Sequence, residues 1–150
     1  MNAAGQEEGM TDRLKDYVQI QQYWARFWKA MDDIDYPRIL TYLTSDCRWL
    51  RGEWCEGHEA ILASLKQRPA LLVSRHIATN LILEPCEGGY DCQYALTIFG
   101  AGRQSADQKP PYTTTGARMA DYFARLTKRD GAWKAEKISA TLMFERPASV

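Results

Sequence analysis

Two positions carry most of the chemical interest in this chain: His76 and Asp32. His76 is one of 2 histidines and lies in Ser74-Arg75-His76-Ile77-Ala78-Thr79-Asn80-Leu81-Ile82-Leu83, a half-apolar stretch patterned as a β-strand. Strict alternation puts it on one face with Ala78, Asn80 and Ile82. Imidazole ordinarily titrates near neutrality, so it can move a proton on and off carbon or oxygen at physiological pH. The plainer account is a buried histidine whose two ring nitrogens are satisfied by neighbours. Asp32 follows Trp24 and Trp28 at helical spacing and so continues an apolar stripe. It also falls at a helix C-terminus, where a negative charge is disfavoured by ~0.3–1 kcal/mol. A carboxylate placed there needs a partner; a turn cap or an arginine pair would serve, and suits Asp33 and Asp35 better. Asn80 could bond a substrate oxygen or tie down adjacent backbone, the commoner use of a buried amide. Trp24, Phe27, Trp28, Trp49 and Met143 could wall a pocket, although aromatic stripes at helical spacing are more often core.

The elements that would position these groups follow from periodicity. From Thr11 to about Met31, Leu14, Tyr17, Ile20, Trp24, Phe27, Trp28 and Met31 recur at three- and four-residue steps, predicting an amphipathic helix with Thr11 as N-cap. Pro37 opens a second short helix, to about Leu43, with Asp35 as N-cap. A short strand is expected over Cys47–Leu50 and a third helix over Gly57–Arg68, stopped by Pro69. Beyond it, Leu72–Glu84, Gln93–Phe99, Tyr112–Thr127 and Trp133–Phe144 read as strands rich in β-branched and aromatic residues. Their short connections imply an antiparallel meander. Helices first and strands afterwards give an α+β domain with three N-terminal helices packed on one face of the sheet.

Composition bounds the function. A chain of 150 residues with 45% hydrophobic and 25% charged residues is expected to be one soluble globular domain over 11–150, preceded by a disordered leader over 1–10. Lys+Arg 19 against Asp+Glu 19 leaves no net charge to favour nucleic acid or anionic membrane. No apolar run approaches the ~20 residues that span a bilayer. MNAAGQEEGM lacks the features of a signal peptide, so a cytoplasmic location is expected. The 4 cysteines, Cys47, Cys55, Cys86 and Cys92, contain no C-x-x-C pair, and with 2 histidines a zinc site has little raw material. Cys86 and Cys92 flank a turn and could face each other, but free thiols suit a reducing compartment.

Several stretches carry a resemblance to a known family. Ala30-Met31-Asp32-Asp33-Ile34-Asp35 resembles an "A-x-D-x-x-D" helix end, and Leu43-Thr44-Ser45-Asp46-Cys47-Arg48-Trp49 a first strand entry. Gly57-His58-Glu59-Ala60-Ile61 is similar to "G-x-x-A-I", Arg75-His76-Ile77-Ala78-Thr79-Asn80 to "R-H-x-x-[ST]-N", and Asp130-Gly131-Ala132-Trp133 to a closing hairpin. Together they resemble the SnoaL-like branch of the nuclear transport factor 2-like superfamily, which includes scytalone dehydratase, bile-acid dehydratases and polyketide cyclases. The resemblance implies a cone-shaped half-barrel with a curved antiparallel sheet (mixed at its edge), an apolar pocket, no cofactor or metal, and frequently a homodimer. It implies that His76 serves as general base or acid and that Asp32 hydrogen-bonds and orients it. It adds Tyr122, in Ala120-Asp121-Tyr122-Phe123-Ala124-Arg125-Leu126, as an acid or orienting group. Two departures narrow this. No second pocket histidine stands near Ile98-Phe99-Gly100-Ala101, His58 falls in the wrong element to replace it, and Ala124 occupies the position of a common aspartate.

The leading expectation is a cofactor-free lyase or isomerase, dehydratase- or cyclase-like, acting on a small apolar cyclic or aromatic carbonyl compound. His76 and Asp32 would transfer the proton, with Tyr122 and Asn80 assisting at oxygen. Rival readings are a non-catalytic small β-subunit of an aromatic-ring-hydroxylating dioxygenase, and a module that binds an apolar ligand without turnover. The loop over 101–111 suits either a lid or a hairpin tip.

Overall fold

The structure is a computed structural model and describes residues 3–114 and 116–145. Helix α1 runs over Ala3–Asp32, so it begins ahead of Thr11. Of the leader expected over 1–10, residues 1–2 lie outside the described residues and the backbone from Ala3 is helical. No proline interrupts this segment, and Gly5 and Gly9 only weaken it. From Ile20 onward the apolar stripe is as periodicity predicts, with Ile20, Trp24, Phe27, Trp28 and Met31 buried and Tyr23 joining them, but Leu14 is exposed and Tyr17 only half-buried.

The end of α1 is sharply defined. Ile34 takes a left-handed conformation with φ 59°, its N–H donates to the Met31 carbonyl at 3.2 Å, and Asp35 N–H donates to the Ala30 carbonyl at 2.9 Å. This is a Schellman closure built on a β-branched residue where glycine is the usual choice. Asp35 then caps α2 (Tyr36–Thr41) by accepting from Arg38 N–H at 3.2 Å.

Strand β1 (Leu43–Arg51) is longer than expected and turns at Gly52, φ 87°, into β2 (Glu53–Glu56), a strand that residue pattern did not single out. Helix α3 (Gly57–Leu65) ends early, and turn bonds carry the chain on through Arg68 to Pro69. Four long strands follow: β3 (Leu72–Cys86), β4 (Gly89–Gly102), β5 (Ala117–Arg129) and β6 (Ala132–Phe144). β5 starts later than Tyr112 because 103–114 is irregular: Tyr112 folds back to donate to the Gln108 carbonyl at 3.1 Å.

The strands form one six-stranded sheet in the order β2-β1-β6-β5-β4-β3. All neighbours are antiparallel except β1 and β6, which pair in parallel. β2 and β3 are opposite edges, so the sheet is an open half-barrel, the α+β cone expected, with the helices against its concave face. The core lies between them: Trp24, Phe27, Trp49, Ile61, Leu65, Tyr94, Leu96, Leu126 and Ile138 are nearly or fully inaccessible. All four cysteines are free thiols. The β3–β4 register sets Cys86 against Gly89 and Cys92 against Leu83, so the two thiols do not oppose each other.

Candidate active site

The end of α1 meets the start of β3, and there the two chemically conspicuous residues come together. His76 Nδ1 lies 2.5 Å from Asp32 Oδ1, and the two side chains are only 7% and 4% exposed. An ionised carboxylate can only accept, so Asp32 places the ring proton on Nδ1 and leaves Nε2 with a free lone pair. Asp32 is held from other directions as well. Ser74 Oγ donates to Oδ1 at 3.0 Å, and the His76 backbone N–H donates to Oδ2 at 3.1 Å. Three donors thus offset the unfavourable end of the helix dipole. Arg68 braces the assembly, donating to Ser74 Oγ and to the Met31 carbonyl, each at 3.1 Å. The imidazole stacks on Trp28, with ring centroids 4.9 Å apart and planes 12° from parallel.

A cavity of about 700 Å³ opens beside this pair, a volume ordinary for a small-molecule site. Trp28, His76 and Tyr122 line it together with apolar Met31, Leu72, Ile98 and Leu142. Register explains why. His76 pairs with Ile98 and Ile98 with Arg118, so the three side chains occupy one row on one face. Tyr122 packs edge-on against Trp28 at 5.2 Å and stacks on Tyr94 at 5.5 Å. Burial raises its pKa, only partly opposed by Arg51 and Arg118, so Tyr122 stays a neutral phenol able to donate a hydrogen bond.

Not all the residues singled out from sequence gather here. A register shift between Thr79 and Ile82, with Asn80 at φ 57°, breaks the alternation that placed Asn80 beside His76. Asn80 lines a second recess of about 670 Å³ between α1 and β3, with Gln21, Gln22 and Trp24, which Trp28 and His76 also border. Phe27 and Trp49 belong to the closed core, and Met143, 49% exposed, lines neither recess. Of the five proposed pocket walls only Trp28 faces the cavity beside Tyr122. His58 lies in α3, away from both recesses.

Sequence reading passed over Ser74, Arg51, Arg68 and Arg118, all of which line the cavity. Ser74 carried a signal, since it lies one alternation before His76 on the same strand face. The arginines carried none, because each comes from a different element and only the closed fold brings them together. Among the described residues no group of three His, Cys, Asp or Glu side chains is arranged to hold a metal. No helix among the described residues is long and apolar enough to cross a membrane.

An open α+β cone with a histidine–aspartate pair at its cavity defines a nuclear transport factor 2-like domain. Residues 12–139 match the SnoaL-like domain, and the chain belongs to that family. No curated protein sequence matches it. Among solved structures it is similar to a type 2 hexachlorocyclohexane dehydrochlorinase (LinA), with 19% identity over 93% of each chain and a TM-score of 0.74. A protein provisionally assigned as a scytalone dehydratase from Novosphingobium aromaticivorans gives 16% identity over 89% of each chain and a TM-score of 0.75. ActVI-ORFA from Streptomyces coelicolor gives 16% identity over 84% of this chain and 93% of that one, with a TM-score of 0.69. At these identities the likeness is one of fold.

Proposed function

We propose that the protein is a lyase or isomerase that works by general acid–base catalysis on a small cyclic or aromatic carbonyl compound bound in the cavity. The observation that supports this best is the Asp32–His76 hydrogen bond of 2.5 Å at a cavity that Tyr122 also lines. His76 Nε2 accepts the proton from the carbon α to the carbonyl. The electrons of that C–H bond pass into the carbonyl and leave an enolate oxygen. Asp32 stabilises the imidazolium as it forms and fixes its orientation, and the Tyr122 phenol donates to the enolate oxygen. Returning the proton to another carbon completes an isomerisation; handing it to a departing β-hydroxyl completes a dehydration. The fold family and the dehydratase and dehydrochlorinase among its structural neighbours are consistent with this class.

The first half-reaction can be tested before the natural substrate is known. The wild type is expected to accelerate exchange of the α-protons of 2-tetralone for deuterium, followed by NMR, and His76→Ala to abolish the acceleration. Equal exchange in wild type and His76→Ala would remove His76 from the role of base.

A further inference from the structure

The cavity has a charge character that its family resemblance gave no reason to expect. Arg51, Arg68 and Arg118 all line it, and no Asp or Glu does so among the described residues. Asp32 lies just behind the wall, but its oxygens already accept from His76 and Ser74. Elsewhere on the molecule Arg48, Arg125 and Arg129 pair with Glu56, Asp91 and Glu136, while Arg75 and Arg103 reach only backbone carbonyls. None of the cavity arginines makes an ion pair with a carboxylate among the described residues. Arg51 donates from Nε to Ser64 Oγ at 2.9 Å and lies over the Trp49 ring at 4.8 Å. Arg68 reaches a carbonyl and a serine hydroxyl. Arg118 stands exposed at the cavity mouth, with no hydrogen-bond partner among the described residues.

A guanidinium cannot shed its proton to escape such a place. Burial lowers the pKa of Arg51, opposed by Tyr122 and reinforced by the neighbouring Arg68. Like charges around one cavity repel, and an anion entering would relieve that repulsion. Geometry limits the shape of the anion. Arg118 stands two strands from His76 in the same row, roughly 10 Å away at the usual strand spacing. The space between is walled by apolar Ile98.

We propose that the cavity selects a ring compound bearing a permanent carboxylate, which Arg51 and Arg118 bind while the ring's carbonyl lies toward His76 and Tyr122. The placement of the carbonyl rests on the proton-transfer reading above; the selection of a carboxylate does not. The carboxylate takes no part in bond making or breaking. It orients the ring, and its guanidinium contacts are bidentate and directional in a way a neutral amide cannot reproduce.

Binding of 2-naphthoate, 2-naphthamide and 2-naphthyl phosphate, by titration calorimetry, tests this. The wild type should bind naphthoate roughly tenfold more tightly than naphthamide, with the margin shrinking as salt is added. The margin should collapse toward unity in an Arg51→Gln, Arg118→Gln double variant that binds naphthamide as before, and Arg51→Lys should restore part of it. Equal binding of the two in wild type, binding of neither, or a margin that survives the double substitution would overturn the proposal. Tighter binding of naphthyl phosphate than of naphthoate would overturn the carboxylate assignment. Should the double variant not fold, the salt dependence in wild type still decides. The naphthoate preference should persist in His76→Ala, so loss of deuterium exchange and loss of anion selection report on separate readings.

Discussion

Two recesses of nearly equal size, about 700 and 670 Å³, share a single wall made of Trp28 and His76. On one side are Tyr122, apolar residues and three guanidinium groups; on the other are Gln21, Gln22, Thr79 and Asn80. Volume does not separate them. Charge does: the first gathers guanidinium groups that can hold an anion, while the second, lined also by the rings of Tyr17, Trp24 and Tyr94, has no Arg, Lys, Asp or Glu among the described residues. A polar residue on a promising strand is therefore no guide to function until its side of the wall is known.

The contrast can be broken experimentally, and the largest effect should come from the wall itself. Asp32→Asn is expected to cut proton-transfer activity by about 10²–10⁴-fold, measured as deuterium exchange or, once known, kcat/KM. Tyr122→Phe, on the cavity side, should lower the same rate by about 10–10²-fold while leaving the fold intact, since it loses a donor but keeps its ring stacking. On the groove side Asn80→Gly should leave the rate unchanged. Glycine accepts φ 57° readily, so its thermal midpoint should also shift little. A rate loss in Asn80→Gly comparable to that in Tyr122→Phe would exchange the roles of the two recesses.

Smaller effects test the surroundings. Burial pushes the Cys47 and Cys92 thiols up to about 12, so neither presents thiolate at neutral pH. Iodoacetamide on the native protein should modify half-buried Cys86 first, read by mass spectrometry. The smallest effect is expected at the outer face of the sheet. The Arg125 hydrogen bond holds the Asp91 carboxyl below its ordinary pKa. A depressed carboxylate stabilises above its unfolded pKa and loses that contribution as pH falls through the folded value. The pair is about half exposed, so Asp91→Asn should cost under ~0.5 kcal/mol in denaturant melts at pH 7, and less at pH 3.

What was legible in the sequence is the part that local periodicity writes. The α1 stripe, the strand alternation around His76 and the order of elements together define the α+β cone, and the motifs at Asp32 and His76 mark the family to which the chain belongs. The illegible part is non-local. That Asn80 borders a different recess from Tyr122 could not be read, because a register shift has no marker beyond an asparagine able to take a left-handed conformation. Trp49 and Phe27 read as pocket walls because burial in a core and burial at a cavity leave the same apolar pattern. Arg51, at a strand end before Gly52, and Arg118, at the start of β5, look like surface residues until β1 and β5 curve toward one another around the cavity.

The stack of Trp28 on His76 also gives the molecule an internal optical gauge. An indole 4.9 Å from an imidazole and nearly parallel to it loses fluorescence when that imidazole becomes a cation, because the charged ring withdraws excited-state electron density. The proton that catalysis would place on His76 is thus written into the emission of one tryptophan, which a Trp28→Phe difference spectrum isolates. Protonation, ligand entry and turnover at this site can all be followed in unlabelled protein, as changes in light from the wall between the two recesses.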